Sequence, residues 1–168
     1  MQITRHPPVK TSLEPSNHPY LTGPWTPLHE EVDVAELPLQ EGPEFLQRGG
    51  QTFLVYSTND SWLPTYQLGM LRLRPGADPL DPASWTKTGP VFAPANGVLG
   101  VGHHTFTTSP DGREDWLVYH AKTSASPGWD RVIRMQRFAW RPDGAPDFGA
   151  PAPSGAPLAV PSGEPCAR

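Results

Sequence analysis

The chain has 168 residues, one domain or a piece of one by length, and its 23 prolines and 16 glycines exclude long helices, because each interior proline costs a helix about 3 kcal/mol. A net charge of −4 with no basic tract leaves no electrostatic footprint for nucleic acid or an anionic membrane surface. The single cysteine, Cys166, excludes an internal disulfide and a cysteine-built metal cluster.

In chain order, residues 1–40 hold short apolar islands between prolines (Tyr20-Leu21, Gly23-Pro24-Trp25, Val32 to Val34, Leu37 to Leu39) and read as loops with one or two strands. No run has the length of a transmembrane helix. Met1 to Pro8 has no apolar signal core, so the chain as it stands is expected in the cytoplasm, and a secreted protein is expected if its start lies upstream. Residues 41–57 read as a hairpin: a strand-like run to Leu46, a Gly49-Gly50 turn, then Thr52 to Ser57. A third strand follows over 65–74, carrying Tyr66, Leu68, Met70, Leu71 and Leu73 and ended by Arg74-Pro75-Gly76. Asp81-Pro82-Ala83-Ser84-Trp85 reads as a tight turn into a strand edge that reaches Val91-Phe92.

A second set starts near Gly100. His103-His104-Thr105-Phe106-Thr107 is followed by a Ser109-Pro110-Asp111-Gly112 turn, and Trp116 to His120 by a third strand over 132–140. Arg141-Pro142-Asp143-Gly144 is another turn, and Asp147-Phe148-Gly149 a last strand edge. From Ala150 onward proline, alanine, glycine and serine leave little to bury, so 151–168 is read as a disordered or loosely docked tail.

The two sets are one repeat. Phe53 and Tyr56 recur as Trp116 and Tyr119, each 63 residues on, while Phe45 recurs as Phe106 after 61. A strand-built repeat of that length predicts propeller blades or another radial β-array; a β-sandwich of two similar halves is the alternative. In the repeat a histidine stands where the first copy has Glu41. Matched positions in successive blades point at a common axis, so a carboxylate and an imidazole distant in sequence are expected to meet there. Taken alone, Glu41 reads as a solvated turn glutamate, His103 or His104 as a core histidine, and Arg131 as a paired surface arginine. His104 adjoins His103 and is expected on the opposite face of an extended strand. The two do not make a zinc site, since the helical His-x-x-x-His spacing is absent.

An ordered set of segments carries a resemblance. Glu41-Gly42-Pro43, Phe53 to Ser57, Tyr66-Gln67-Leu68-Gly69, Asp81 to Trp85, Gly102-His103, Ser109 to Gly112 with Asp115 to Ala121, and Arg131 to Gln136 together resemble glycoside hydrolase family 43 over about residues 18 to 150. These are the five-bladed propeller enzymes of arabinan and xylan breakdown, and the exo-acting α-L-arabinofuranosidase branch is most similar. The resemblance implies an all-β fold, here a partial propeller of two to three blades over 1–150. It implies arabinose- or xylose-containing oligosaccharides or polysaccharides as partners, cleaved with inversion. Residue by residue, Glu41 falls on the general acid, with Glu44 as its neighbour and rival. His103 falls on an axial histidine that holds one calcium ion largely through water; no organic cofactor is implied. Arg131 falls on the substrate arginine, with Arg134 as the competing choice. Trp62 is expected to stack on a sugar face, Trp129 is left open, and Trp85 is expected to pack between blades.

The sequence also departs from the family. Inversion needs a second carboxylate that activates water about 6.5–9.5 Å from the acid, and the family carries that base near its N-terminus. Asp33 and Glu36 precede Glu41 but sit in no matching motif. The chain thus resembles the C-terminal part of such an enzyme without the base. A working glycosidase in part, or a non-catalytic propeller segment that binds carbohydrate or protein, are the two functions this allows.

Overall fold

The computed structural model describes residues 40–165; the islands read in residues 1–39, and Cys166, lie outside the described residues. Strands β1 (Gln40–Arg48), β2 (Gln51–Thr58), β3 (Gln67–Leu73) and β4 (Trp85–Phe92) form one antiparallel meander. Strands β5 (Leu99–Thr108), β6 (Asp115–Lys122), β7 (Arg131–Trp140) and the short β8 (Pro146–Asp147) form a second with the same order. The turns explain the boundaries. Gly49 and Gly50 both have positive φ, as a two-residue hairpin turn with Arg48 opposite Gln51 requires. Asp81 caps the short 3-10 turn Pro82–Ser84 through its side chain, which accepts from Ala83 N at 3.0 Å.

The two sheets pack through unlike faces. On β2, Phe53 and Val55 lie in the main core; on β6, Leu117 and Tyr119 do. Under the 63-residue repeat those β6 residues match Leu54 and Tyr56, which belong to the other face of β2 and pack with Leu71, Leu73 and Trp85. A sandwich of two similar halves would pair like faces. Each sheet here gives one face to its neighbour and keeps the other for the opposite side, which is how blades succeed one another around a ring. The shared core also holds Leu68, Met70, Phe92, Val101 and Phe138. Each fully buried apolar side chain of this size contributes about 1.5–3 kcal/mol, so this face carries the stability. Polar ties are smaller: Arg48 pairs with Asp115 at 3.1 Å and Arg72 with Asp143 at 3.2 Å, both exposed pairs worth about 0–1 kcal/mol.

The tail is docked. Gln136 is buried and central to it: its Nε2 donates to the carbonyls of Phe148 (3.0 Å) and Ala150 (3.1 Å), and its Oε1 accepts from Ala152 N (3.0 Å) and the Tyr119 hydroxyl (3.1 Å). Arg134 donates to Ala152 O at 2.6 Å, and Asn96 to Pro151 O at 2.9 Å. Farther on, the Ser162 hydroxyl donates to Asp111 Oδ1 at 2.6 Å, and Ser162 N to Glu114 Oε2 at 3.1 Å. Composition pointed to disorder because the tail has few side chains to bury. Its attachment runs through backbone groups, which composition does not register. Trp85 lies on the face of the first sheet turned away from the second, with Tyr56 and Leu71, 6.5 Å from Phe45 and with its indole N–H on Pro79 O.

Candidate active site

The inner strands of both sheets break their ladders at the same place. In β1 the register shifts between Glu41 and Glu44, and in β5 between Gly102 and Thr105. The residue just inside each bulge is left-handed: Gly42 has φ 56° and His103 φ 49°. Glu41 faces Ser57 on β2, and Gly102 faces His120 on β6. The position matching Glu41 is therefore Gly102, and His103 matches Gly42, one residue from where the sequence pattern set the histidine against the glutamate. The two bulges nonetheless meet. A Cβ built on Gly42 would lie 3.6 Å from His103 Nδ1, so the acid's own strand abuts the imidazole.

The cluster is completed by Tyr66 and Ser57, which the sequence did not single out, and by His120, a weaker candidate of the sequence beside His103. Tyr66, fully buried just before β3, donates its hydroxyl to Glu41 Oε1 at 2.7 Å. Its ring stacks on His120 at 5.2 Å and 8°, and His120 stacks on His103 at 6.2 Å and 16°. The His103 backbone N–H donates to the Ser57 hydroxyl across 2.7 Å. One sequence signal for two of these existed: Ser57 and His120 are equivalent polar ends of β2 and β6, 63 residues apart. Glu44, the rival acid, instead accepts from Thr105 Oγ1 at 3.0 Å and ties β1 to β5.

His103 is exposed and His104 buried, one on each side of the strand. His104 lies edge-on to Phe106 at 5.0 Å, and neither of its nitrogens has a hydrogen-bond partner among the described residues. Burial, with the neighbouring His103 second, pushes its pKa down to about 4. Burial also pushes His120 down to about 4, reinforced by Arg131 and His103 and opposed by Glu41. Both imidazoles are therefore neutral near pH 7. The Tyr66 phenol is raised, first by burial and then by the bond to Glu41 and its charge; the Ser57 hydroxyl and Arg131 act the other way.

Arg131 opens β7 and acts electrostatically on both Tyr66 and His120. Its guanidinium lies 4.5 Å from the Trp129 ring centroid. Trp129 in turn meets Trp62 at 5.8 Å, and the two loops are joined where Gly128 N donates to Trp62 O at 3.0 Å. Thus Trp62, placed by sequence on a sugar face, and Trp129, left open, form one aromatic pair beside Arg131. Arg134 is committed to the tail carbonyls. For calcium, which takes six to eight oxygen ligands, the described residues give no group of three or more His, Cys, Asp or Glu able to hold an ion. An ion beside His103 would draw its other ligands from water.

Two meander blades meeting through unlike faces, with a carboxyl, a phenol and stacked imidazoles between their inner strands, make this a β-propeller segment with an ionisable centre. Residues 8–146 match the glycosyl hydrolases family 43, and the chain belongs to that family. Among curated proteins it is 39% identical over 153 residues to an extracellular exo-alpha-(1->5)-L-arabinofuranosidase of Streptomyces avermitilis, and 37% identical over 153 residues to alpha-L-arabinofuranosidase 43 of Humicola insolens. Each match covers 80% of this chain but 32% of the relative, so the chain spans about a third of these proteins. Among solved structures, an alpha-L-arabinofuranosidase from Lactobacillus brevis superposes with a TM-score of 0.71 at 36% identity, over 77% of this chain and 43% of that one. A thermostable family-43 glycoside hydrolase superposes at 0.61 with 33% identity, over 71% and 38%.

Proposed function

We propose that this chain carries the acid side of a glycosidase active site, one that releases terminal α-L-arabinofuranosyl or β-D-xylosyl units from arabinose- or xylose-containing oligosaccharides and polysaccharides. The observation that best supports this is the placing of Glu41 under the Tyr66 hydroxyl, on a strand whose Gly42 abuts His103, between the inner strands of two blades. In this reading Glu41 gives its proton to the leaving-group oxygen. Arg131 grips sugar hydroxyls with its planar fork, and the Trp62–Trp129 pair offers apolar ring faces to a sugar. A calcium ion beside His103, ligated otherwise by water, belongs to the proposal, and no step is routed through it. The Streptomyces avermitilis relative is an extracellular protein by name, which supports secretion of the whole protein.

Inversion also requires a base. Asp33 and Glu36, the nearest acids ahead of Glu41, sit in no motif that matches the family's base. Hydrolysis by this chain is therefore expected to be slow, short by the general-base factor of about 10²–10⁴. That same observation favours a second reading, a non-catalytic segment that binds carbohydrate or protein. Hydrolysis of an alkyl arabinofuranoside at high protein concentration separates the two. A slow rate that falls at least about tenfold in Glu41→Gln supports the acid role. Arabino-oligosaccharide binding that is equal in both proteins, with hydrolysis by neither, supports the binding segment and rejects the enzyme.

A further inference from the structure

Tyr66 is held more tightly than a packing residue needs to be. Its ring is fully buried and stacked on His120. On another side it fills the space that a side chain at position 102 would take: a Cβ on Gly102 would lie 2.2 Å from Tyr66 Cε1. So confined, the phenol donates its hydroxyl to Glu41 Oε1 at 2.7 Å and has the Ser57 hydroxyl as a second hydrogen-bond partner.

We propose that Tyr66 is a positioning residue for Glu41: by donating to Oε1 it fixes the carboxyl and leaves Oε2 as the oxygen that carries the transferable proton. This rests on the reading of Glu41 as the general acid. The step needs water and no other reagent. The O–H bond at Oε2 breaks, its proton goes to the glycosidic oxygen, that oxygen leaves with the electron pair of its bond to the sugar carbon, and a water molecule forms the new bond to that carbon and gives up its proton to solvent. Glu41 remains as a carboxylate. The Tyr66 bond to Oε1 is a neutral pair before the step and a charge-assisted one after it, hence stronger. An interaction that strengthens as the proton departs lowers the barrier rather than only holding the ground state. The phenol must stay protonated throughout, and its burial and the adjacent carboxylate both favour that.

The test compares the native chain, Tyr66→Phe and Glu41→Gln. Phenylalanine keeps the ring in place and removes the one hydroxyl, so the fold is retained, as unfolding curves would verify. Two readouts are taken: ionisation of Tyr66, isolated as the phenolate absorbance missing from Tyr66→Phe, and hydrolysis of an alkyl and a nitrophenyl arabinofuranoside. The Tyr66 signal is expected at lower pH in Glu41→Gln, where the neighbouring charge is gone. Tyr66→Phe is expected to lose about tenfold in kcat on the alkyl substrate, which depends on proton donation, and less than about threefold on the nitrophenyl one, with KM unchanged on both. Equal losses on the two substrates, or a Tyr66 titration indifferent to Glu41→Gln, would overturn the positioning role while leaving Glu41 as acid. Loss of the alkyl-substrate dependence on Glu41 itself would instead overturn the parent reading, and the positioning role with it.

Discussion

Gly102 and Tyr66 compete for one volume, and the glycine yields it. The backbone of Gly102 is not left-handed, so its lack of a side chain serves the neighbouring ring rather than a turn. Gly102→Ala drives a methyl to 2.2 Å from Tyr66 Cε1, and neither the buried ring nor the His120 stack has free space to move into. The expected cost is about 1–3 kcal/mol, as for other overpacked interiors, read as a lower denaturant midpoint with an unchanged slope. A native-like midpoint would show that the ring is not confined.

His104 makes the fold acid-sensitive. Its imidazole is buried without hydrogen-bond partners among the described residues, and burial pushes its pKa from the ordinary 6.5 to about 4. Between those values the unfolded chain binds a proton that the folded one refuses. Stability is therefore full above about pH 6.5 and falls as pH drops toward 4, by up to about 3 kcal/mol. His120 acts in the same sense. Unfolding midpoints measured from pH 7.5 to 4 in the native chain and in His104→Phe check this; the variant is expected to show a visibly shallower fall.

Acid should also loosen the tail. Asp111 is held below the usual carboxylate range first by its bonds from Ser162 and Ser109, and Glu114 by Ser162 N and then Arg137. Their contribution is present above the ordinary carboxylate pKa and is lost as pH falls through their lowered values. Ser162→Ala removes the hydroxyl that donates to Asp111. Faster proteolysis within residues 153–165 at neutral pH, with little change in the global unfolding midpoint, is the expected result.

Arg131→Lys keeps the charge and discards the planar fork that lies over Trp129. Affinity for an arabino-oligosaccharide, followed by tryptophan fluorescence, is expected to fall about tenfold, the loss of roughly one hydrogen bond to a charged group. Unchanged affinity would remove Arg131 from the sugar site.

How much of this was readable in the chain differs residue by residue. The strands were, because Phe53, Val55, Leu117 and Tyr119 alternate with the faces they bury, and paired glycines and Ser-Pro-Asp-Gly mark the turns. The approach of the Glu41 strand to His103 followed from the repeat. The one-residue offset between them did not, since it depends on how each bulge distributes its extra residue. Tyr66 escaped notice because alternation assigns a residue to a sheet without naming what lies opposite in the next blade. Its contacts with Glu41, Gly102 and His120 cross 25, 36 and 54 positions of sequence. How the tail is held was not legible for a related reason: Gln136 and Arg134 bind its carbonyls, and any sequence has carbonyls.

The paired bulges separate chemistry from architecture. From Glu44 and from Thr105 onward the cross-strand pairing runs without a further shift, while on the other side of Gly102 the register shifts once more, between Leu99 and Gly102. A substitution within either kink alters what the central opening meets while the rest of the sheet keeps its alignment. Under the proposed function, a change of sugar preference would take only a handful of exchanged side chains there, with the two sheets that display them left as they are.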